Sequence, residues 1–474
     1  MAVSYFVNQI LSQFPFTPTT SQLSLINKLS QFLLQPNDNS LFVLKGYAGT
    51  GKTSLVSLFV NNLYKLNKKA VLLAPTGRAA KVFSGYSGKK AFTIHKKIYL
   101  LTTSSDGNNN LILSENKHQD TVFFVDEASM IPDNISTPDL GLFSNRSLLN
   151  DLISYVYNGK RNTLILIGDT AQLPPVGMDE SPALNIEYLK SSFQLDVKTL
   201  EMKEVVRQSM QSGILANATN LRTKLNDEEY KLTIKLDRFP DLEHITGSEL
   251  EDVLNSAYSN SGKEETIIIT RSNKRANVFN QEIRNRILYM ENEISSGDQL
   301  MIVKNNYFWI DKDSQPGFLA NGDIIQIQRI EKYEDFYGFR FADVSVKLLD
   351  YPEEKEITVK ILLDTLMSDG PSLSQKENQQ LFEEVLKDYE DIPSRRVQIE
   401  HVKINPFYNS LQVKFAYALT CHKTQGGQWE TVFIDQGYLP EAHINKEYYR
   451  WLYTAFTRAT KKLYLVNFHE QFFL

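Results

Sequence analysis

An eight-residue segment near the start of the chain has the residue types and the spacing of a phosphate-binding loop. It reads Gly46-Tyr47-Ala48-Gly49-Thr50-Gly51-Lys52-Thr53 and fills every fixed position of that pattern. Glycines let backbone N–H groups turn towards phosphate oxygens, and a helix that begins behind them adds the positive end of its dipole. We expect Lys52 to reach the β- and γ-phosphates of a nucleoside triphosphate and Thr53 to bind Mg²⁺. The predicted nucleotide-binding residues of this loop are Gly46, Ala48, Gly49, Thr50, Gly51, Lys52 and Thr53.

Two later apolar runs end in polar groups that suit the hydrolysis of a triphosphate. Asp126 and Glu127 follow the run 121–125, and we expect Asp126 to hold Mg²⁺ and Glu127 to polarise the attacking water as a general base. Gln172 lies in the loop after the run 163–167, where we expect it to sense the γ-phosphate. Each feature alone is more often a solvated turn, so the prediction depends on their order after the phosphate-binding loop.

A parallel sheet would bring these groups together. Over residues 1–205, four short apolar runs, each followed by Gly, Pro or Asp, alternate with helical or polar segments, as is typical of strands joined by crossover helices. Ligands of such sheets bind beyond the carboxyl ends of the strands, which is where the loop and the acids would meet. The predicted strands are 41–45, 70–74, 121–125 and 163–167.

Two insertions interrupt the alternating pattern. Between residues 93 and 120, two short runs flank a turn-rich link with Asp-Gly, which predicts a β-hairpin, with an irregular surface loop as the alternative. Between residues 298 and 408, short strands and a charged, helix-prone stretch predict a small β-barrel with a helical excursion. The predicted domains are 1–92 with 121–205, the hairpin 93–120, 206–297 with 409–474, and the barrel 298–408.

Composition and charge limit the class of protein. The chain has 474 residues and a net charge of −5, so any nucleic-acid site must be a local basic surface on an acidic body. The one cysteine, Cys421, excludes a disulfide framework and a four-cysteine zinc site, and it favours a reducing, cytoplasmic location, on the nucleoid if the source is a bacterium. With no basic leader and no run of about 18 apolar residues, we expect neither a signal peptide nor a membrane span.

Eight motifs in a fixed order between residues 16 and 465 resemble those of superfamily 1B DNA helicases of the RecD and Dda type. The resemblance implies an α/β fold with two RecA-like P-loop domains, the hairpin in the first and an SH3-like β-barrel in the second. It also implies hydrolysis of ATP with Mg²⁺ between the two domains and 5′→3′ movement on single-stranded DNA. Spacing and composition by themselves carry no indication of this polarity.

The resemblance also implies roles for individual residues. Gln22 resembles the glutamine that contacts the adenine edge, with a polar helix start as the alternative. Arg207 and Arg458 resemble the two arginines that contact the γ-phosphate, a task suited to a permanently charged fork of donors. The implied DNA contacts are Pro75, Thr76 and Arg78 in motif Ia, His95 in motif Ib, Asn321 in the barrel turn, and Thr420, His422 and Lys423 in motif V.

Together these roles predict a monomeric motor on single-stranded DNA and at junctions with duplex DNA. ATP is expected to close the cleft between the domains, and hydrolysis to reopen it. The hairpin is expected to split the duplex, with Tyr99 stacked on a base. A cluster of basic residues is expected to follow the DNA path: Lys65, Lys68, Lys69, Arg78, Lys81, Lys89, Lys90, Lys96 and Lys97.

Other classes of function remain open at this stage. The chain could be an ATP-gated switch that never unwinds DNA, or a helicase that acts on RNA. It could also be the motor subunit of a nuclease or recombination-repair complex, with nuclease, repair or replication proteins as partners. The sequence assigns no role to Trp429 or to residues 367–398.

Overall fold

The structure, a computed structural model, describes residues 2–35, 39–103, 109–133, 146–205, 212–236, 239–311, 314, 316–440 and 443–474. The strands of its first part are β1 (Ser40–Gly46), β2 (Lys69–Ala74), β3 (Ala91–Thr93), β4 (Tyr99–Thr103), β5 (Asn109–Leu113), β6 (Thr121–Val125), β7 (Thr163–Gly168) and β8 (Asp196–Met202). Its helices are α1 (Ala2–Gln13), α2 (Thr20–Leu34), α3 (Lys52–Asn62), α4 (Gly77–Ser87), α5 (Ile94–Ile98), α6 (Leu148–Tyr157) and α7 (Ile186–Phe193).

Six of these strands form one sheet in the order β3-β2-β6-β7-β1-β8, and every neighbouring pair is parallel. Alternate residues of a strand point to opposite faces, so Leu41 and Val43 pack in one core while Phe42 and Leu44 pack in another. Helices therefore cover both faces, as the sequence predicts. The sheet directs the loops after β1, β2, β6 and β7 to the same edge.

The predicted hairpin is present between β3 and β6. Strands β4 and β5 pair antiparallel, with Tyr99 opposite Leu113 and Leu100 opposite Ile112. Residues 104–108, which join the two strands, lie outside the described residues.

The second part of the chain begins with α8 (Gly213–Asn226), β9 (Leu242–Ile245), α9 (Leu250–Ser261), β10 (Thr266–Thr270) and α10 (Asn273–Glu282), which continues as a π-helical turn (Ile283–Ile287). A closed barrel follows, built from β11 (Gln299–Ile302), β12 (Ile324–Phe336), β13 (Phe339–Leu348), β14 (Ile357–Leu362) and β15 (Leu411–Phe415). Helices α11 (Gln375–Lys387) and α12 (Arg395–Lys403) lie between β14 and β15. Because β15 comes after residue 408, the barrel extends past the boundary that the sequence predicts.

The chain then returns to the second sheet with β16 (Ala418–Thr420), β17 (Trp429–Asp435), α13 (Lys446–Phe456) and β18 (Ala459–Val466). Its parallel order is β16-β10-β17-β18-β9. The two α/β sheets and the inserted barrel confirm the predicted fold class. Short 3₁₀ turns occupy Leu63–Leu66, Ala128–Met130, Pro182–Leu184, Leu363–Thr365, Cys421–Thr424 and Glu470–Phe472. None of the helices in the described ranges is long and apolar enough to cross a membrane.

Candidate active site

The phosphate-binding loop lies between the end of β1 and the start of α3. Gly49 and Gly51 have φ angles of 76° and 82°, in the left-handed region that glycine adopts without strain. A side chain at Gly46 would place its Cβ 2.7 Å from Cδ of Lys52, so this position requires glycine while the lysine folds over the loop. Lys52 Nζ donates to the carbonyl oxygen of Tyr47 at 2.9 Å and to that of Gly46. One ammonium and one helix N-terminus converge here, which fits a triphosphate.

The strand-end acids approach this lysine. Burial, and next the neighbouring Glu127 carboxylate, raise the pKa of Asp126 to about 7, while the charge of Lys52 opposes the rise. Asp126 Oδ1 accepts a hydrogen bond from the Glu127 N–H at 2.9 Å. A divalent cation beside Thr53 would favour the ionised carboxylate, so this pair of ligands fits Mg²⁺.

The loop after β7 carries two more buried polar groups. Burial raises the pKa of Asp169, which is 2% exposed and accepts hydrogen bonds from the Ala171 N–H at 2.9 Å and from Tyr453. Gln172 is also buried, and its Oε1 has no hydrogen-bond partner in the described part of the chain. A buried carbonyl oxygen of this kind is satisfied by a donor from water or ligand, which suits a position beside the reacting groups.

Tyr453 connects this loop to the second domain. It lies on α13, its hydroxyl donates to Asp169 Oδ2 at 2.6 Å, and it accepts from the Ala48 N–H of the phosphate-binding loop at 3.0 Å. The Leu173 N–H donates to Thr454 Oγ1 at 2.9 Å from the same helix. The candidate site therefore lies at the interface of the two α/β domains, and Tyr453 is a residue that the sequence analysis missed.

The structure describes one of the two arginines that were predicted to contact the γ-phosphate. Arg207 falls within residues 206–211, outside the described residues. Arg458 is 3% exposed, and its guanidinium donates at 3.1 Å to each of three acceptors of its own domain: the carbonyl oxygens of Thr454 and Gly427 and the hydroxyl of Thr457. Its contact with a γ-phosphate remains a prediction, one that requires it to exchange these partners.

A third arginine, which sequence reasoning did not select, reaches the loop. Arg222, buried on α8, places its guanidinium 4.1 Å from the centre of the Tyr47 ring. The Tyr47 hydroxyl in turn donates to Glu201 Oε1 at 2.7 Å. An aromatic residue at the second position of the phosphate-binding loop is the sequence signal that could have indicated such a contact.

Gln22 lies at the start of α2 beside the phosphate-binding loop, and its contact with an adenine stays a prediction. It is the third residue of α2 and closes a capping box with Thr19, which accepts from the Gln22 N–H while Gln22 Oε1 accepts from the Thr19 N–H. Its Nε2 donates to the carbonyl oxygen of Thr50 at 3.1 Å. The side chain is buried, with 2% of its surface exposed in this structure.

Motif Ia is covered by the second domain. Thr76 caps α4 by accepting from the Ala79 N–H, with Pro75 just before it. The Arg78 guanidinium stacks 3.9 Å from the centre of the Trp429 ring and its Nη2 donates to the Gln428 carbonyl oxygen at 3.4 Å, so its contact with DNA stays a prediction. This pair gives Trp429 the role that the sequence left open: a contact between domains.

The structure places His95 of motif Ib and Tyr99 of the hairpin in buried surroundings, and this corrects the role predicted for Tyr99. Burial lowers the pKa of His95 to about 4, so this residue would contact DNA as a neutral donor or acceptor. The predicted stacking of Tyr99 on a base is wrong, since its ring is 6% exposed and its hydroxyl donates to Asp151 Oδ2 at 2.8 Å. Among the hairpin side chains that the structure describes, Leu100 and Ile112 are apolar and exposed, at 54% and 42%.

Motif V forms the corresponding surface of the second domain. Thr420 ends β16, and the 3₁₀ turn that follows carries His422 and Lys423. Burial lowers the pKa of His422, and burial together with Lys414 lowers that of Lys423 to about 8. Asn321 is exposed in the barrel turn, and its N–H donates to Asn305 Oδ1 at 2.7 Å. A phosphate at this surface would restore full charge to the lysine.

The predicted basic path is shorter than the sequence suggests. Lys65, Lys68 and Lys69 precede or begin β2, whereas motif Ia follows its end. Six residues of strand separate the two edges by roughly 17–20 Å, so these lysines lie on the opposite side of the sheet. Others bind backbone carbonyl oxygens: Lys81 that of Leu349, Lys89 that of Val60, and Lys96 that of Ser314.

Comparison with known proteins places both parts of the chain among helicases. Residues 28–240 match a model described as an AAA domain, and residues 415–466 match a UvrD-like helicase C-terminal domain. The ATP-dependent DNA helicase dda of Enterobacteria phage T4 is 31% identical over 181 residues, which are 38% of this chain and 37% of that protein. The ATP-dependent RecD2 DNA helicase of Deinococcus radiodurans is 28% identical over 204 residues, 43% of this chain and 25% of that protein.

The two named relatives are of the dda and RecD types that the sequence resembles, so these matches support the resemblance to superfamily 1B helicases. Both alignments are partial: each covers less than half of this chain, and they cover 37% of the dda protein and 25% of the RecD2 protein. Among solved structures, Pif1 helicase from Bacteroides in complex with ADP-AlF3 and single-stranded DNA is similar over 97% of this chain and 95% of that one, at 14% identity and a TM-score of 0.45.

Proposed function

We propose that this chain is an ATP-dependent DNA helicase of superfamily 1B that hydrolyses ATP between its two α/β domains and moves along single-stranded DNA. The bridge that Tyr453 makes between Ala48 and Asp169 carries the proposal, because it ties a phosphate-binding loop of one domain to a helix of the other. A nucleotide in this loop changes the contacts across the cleft, which couples binding and hydrolysis to relative movement of the domains. Relatives named as DNA helicases support DNA as the polymer.

In this proposal the loop and the strand-end acids carry out hydrolysis. Lys52 exchanges its two carbonyl partners for the phosphates, and Thr53 with Asp126 holds Mg²⁺, which neutralises phosphate charge when it is bound. Glu127 accepts the proton of the attacking water, and Gln172 positions that water. Arg458 and Arg207 bind the γ-phosphate as the cleft closes.

DNA contacts on both sides of the cleft turn this cycle into movement. Thr76 and His95 belong to one domain, while Thr420, His422 and Lys423 belong to the other, so closure alternates which domain holds the strand. Contacts to the sugar–phosphate backbone make the motor independent of sequence and weaken binding as salt rises. We propose that the motor works 5′→3′ as a monomer and acts at junctions of single and double strands, alone or with repair proteins.

Hydrolysis and strand separation by the purified chain test this proposal. We expect ATPase activity stimulated by single-stranded DNA and unwinding of a duplex with a 5′ tail, but not of one with a 3′ tail. Lys52→Ala should abolish hydrolysis, while Lys190→Ala, which removes an exposed lysine paired with Glu187 on α7, should leave it unchanged. Hydrolysis without DNA stimulation would indicate a switch, and unwinding of tailed RNA alone would indicate an RNA helicase.

A further inference from the structure

A cavity of about 320 Å³, here called the inner cavity, lies beside the candidate active site. The first domain supplies the end of β1, the turn Ala128–Met130, the loop after β7 and the start of α7 to its wall, and the second domain supplies Arg450 of α13. Asp169 and Gln172 belong both to this wall and to the candidate active site. Burial raises the pKa of Asp169 and the charge of Lys52 opposes the rise, so the inner cavity adjoins the place where the γ-phosphate is expected.

Three polar atoms of this wall are buried and have no hydrogen-bond partner among the described residues. They are Ser129 Oγ, Gln172 Oε1 and Arg450 Nε. Buried polar groups are nearly always satisfied by the protein, by water or by a ligand, so three such atoms in one wall indicate a polar occupant. An amide oxygen needs a donor, a guanidinium N–H needs an acceptor, and a hydroxyl can pair with either. The occupant must therefore both donate and accept hydrogen bonds.

The charges of the wall favour an anion in its inner part. Lys45 precedes the first glycine of the phosphate-binding loop and adds an ammonium group to that of the Arg450 guanidinium. Burial lowers the pKa of Lys45, against the charges of Glu201 and Glu180. Glu180 and Glu187 also line the cavity, but both are exposed, so their charges are screened by solvent. An anion that carries a hydroxyl group, as inorganic phosphate does at neutral pH, fits both the charges and the unpartnered atoms.

A second space, here called the outer cleft, meets the inner cavity at Pro174 and Arg450. It measures about 750 Å³ and extends along the loop after β7 to His422 of motif V. Arg450 Nη1 donates to the carbonyl oxygen of Asp179, which lines the outer cleft. This bond holds the guanidinium across the boundary between the two spaces and leaves Nε for an occupant of the inner cavity.

We propose that the inner cavity binds the inorganic phosphate formed by hydrolysis and that Arg450 controls its release into the outer cleft. The hydroxyl of the phosphate donates to Gln172 Oε1, and its other oxygens accept from Arg450 and Lys45. Release requires Arg450 to leave the Asp179 carbonyl, so phosphate departs only when this side chain moves. The inference rests on the proposed ATPase activity and assigns a route to one of its products.

Single-turnover kinetics of the full chain on single-stranded DNA separate cleavage of ATP from release of phosphate. Rapid quenching follows cleavage, and a fluorescent phosphate-binding protein follows release. We expect release to lag behind cleavage in the wild type. Arg450→Gln should shorten this lag about tenfold, as expected for the loss of one charge-assisted hydrogen bond, while the rate of cleavage stays the same.

A second variant and a control accompany this change. Ser129→Ala removes a hydroxyl that has no partner in the described part of the chain, so it should fold normally and shorten the lag about threefold. Arg286→Gln is the matched control, because it makes the same exchange at an exposed arginine of the second domain, paired with Glu282 at 2.7 Å. This control should leave the lag unchanged.

A wild type that releases phosphate as fast as it cleaves ATP would overturn the proposal, because the inner cavity would then hold water alone. A lag that neither Arg450→Gln nor Ser129→Ala shortens would overturn it as well. Slower cleavage with an unchanged lag in Arg450→Gln would assign this arginine to hydrolysis and not to release. A wild-type chain that cleaves no ATP would instead remove the proposed ATPase function.

Discussion

Replacing Tyr453 by phenylalanine is the sharpest test of the interdomain site. The change removes one oxygen atom and leaves the ring, which is 1% exposed, in place. That oxygen donates to Asp169 at 2.6 Å and accepts from Ala48 at 3.0 Å, and both partners belong to the first domain. The variant therefore loses both hydrogen bonds across the cleft. The cavity that it creates has the size of one oxygen atom.

The size of the effect follows from the two bonds. A hydrogen bond to a charged group contributes about 1.5–3 kcal/mol, and burial excludes water that would otherwise replace the hydroxyl. The Ala48 N–H also loses its acceptor, so we estimate about 2–3 kcal/mol of interdomain free energy. At about 1.4 kcal/mol per factor of ten, this lowers the equilibrium constant between the closed and open arrangements by roughly 30- to 150-fold.

Steady-state ATPase assays at saturating DNA measure this loss. If closure is required for hydrolysis, we expect kcat/KM for ATP to fall at least tenfold in Tyr453→Phe. Tyr449→Phe is the control: it lies one turn earlier on α13, and its buried hydroxyl has no hydrogen-bond partner among the described residues. Equal activity of the two variants would show that the bridge plays no part in hydrolysis.

Asp126, the hairpin and the Arg78–Trp429 pair each support a further prediction. The folded-state pKa of Asp126, about 7, lies above its usual value of 3.8, so the stability gained from its protonated form is complete below pH 3.8 and is lost as pH rises through 7. Asp126→Asn should therefore raise the melting temperature of the nucleotide-free chain more at pH 8 than at pH 5, and an equal gain at both would contradict the raised pKa. Serine at both Leu100 and Ile112 should reduce unwinding of a tailed duplex but spare DNA-stimulated ATPase activity, whereas normal unwinding would exclude these side chains as the wedge. Trp429→Leu should remove about 1–2 kcal/mol of cation–π contact with Arg78 and lower unwinding per ATP hydrolysed; unchanged coupling would leave the pair without a role in movement.

The central strands could be predicted from the sequence and the edge strands could not. Strands β1, β6 and β7 are buried on both faces, so each appears as a continuous apolar run. The missed strands β3 and β8 lie at the two edges of the same sheet. One has three residues, and the other alternates charged and apolar residues, because an edge is only partly covered.

The barrel boundary was missed for a related reason. The segment from 411 to 420, which is buried as far as residue 419, contains both β15, the last strand of the barrel, and β16, an edge strand of the second sheet. Two residues separate the strands, and hydrophobicity does not change between them. The sequence therefore indicates burial along this run but not the point where the chain passes from one domain to the next.

The order of the motifs in the sequence predicts which residues form the nucleotide site better than it predicts which groups those residues contact. The loop follows β1 and the acids follow β6, two parallel strands on either side of β7, so the sheet directs Lys52 and Asp126 to the same edge. The partners of Arg78 and Tyr453 lie far away in sequence, and which partners they have depends on how the domains meet. A polar or charged side chain that can bind a ligand can also bind a neighbouring carbonyl group or aromatic ring of the protein. The spacing of residues in the sequence therefore does not show which of these two partners the side chain has.

One short segment of the second domain contacts both functional surfaces of the first. Gln425 Nε2 donates to the Leu173 carbonyl oxygen at 2.7 Å, beside the nucleotide site, and four residues later Trp429 stacks on Arg78 in motif Ia. Between them, Gly426 has a φ of 74° and so little space that a Cβ there would lie 2.7 Å from that of Ala79. These contacts are close-packed and belong to one stretch of backbone, residues 425–429. If this stretch moves together with the loop near Leu173, its contacts with Ala79 and Arg78 require α4 to move as well. We therefore expect movement that begins at the nucleotide site to be transmitted to the surface proposed to hold DNA.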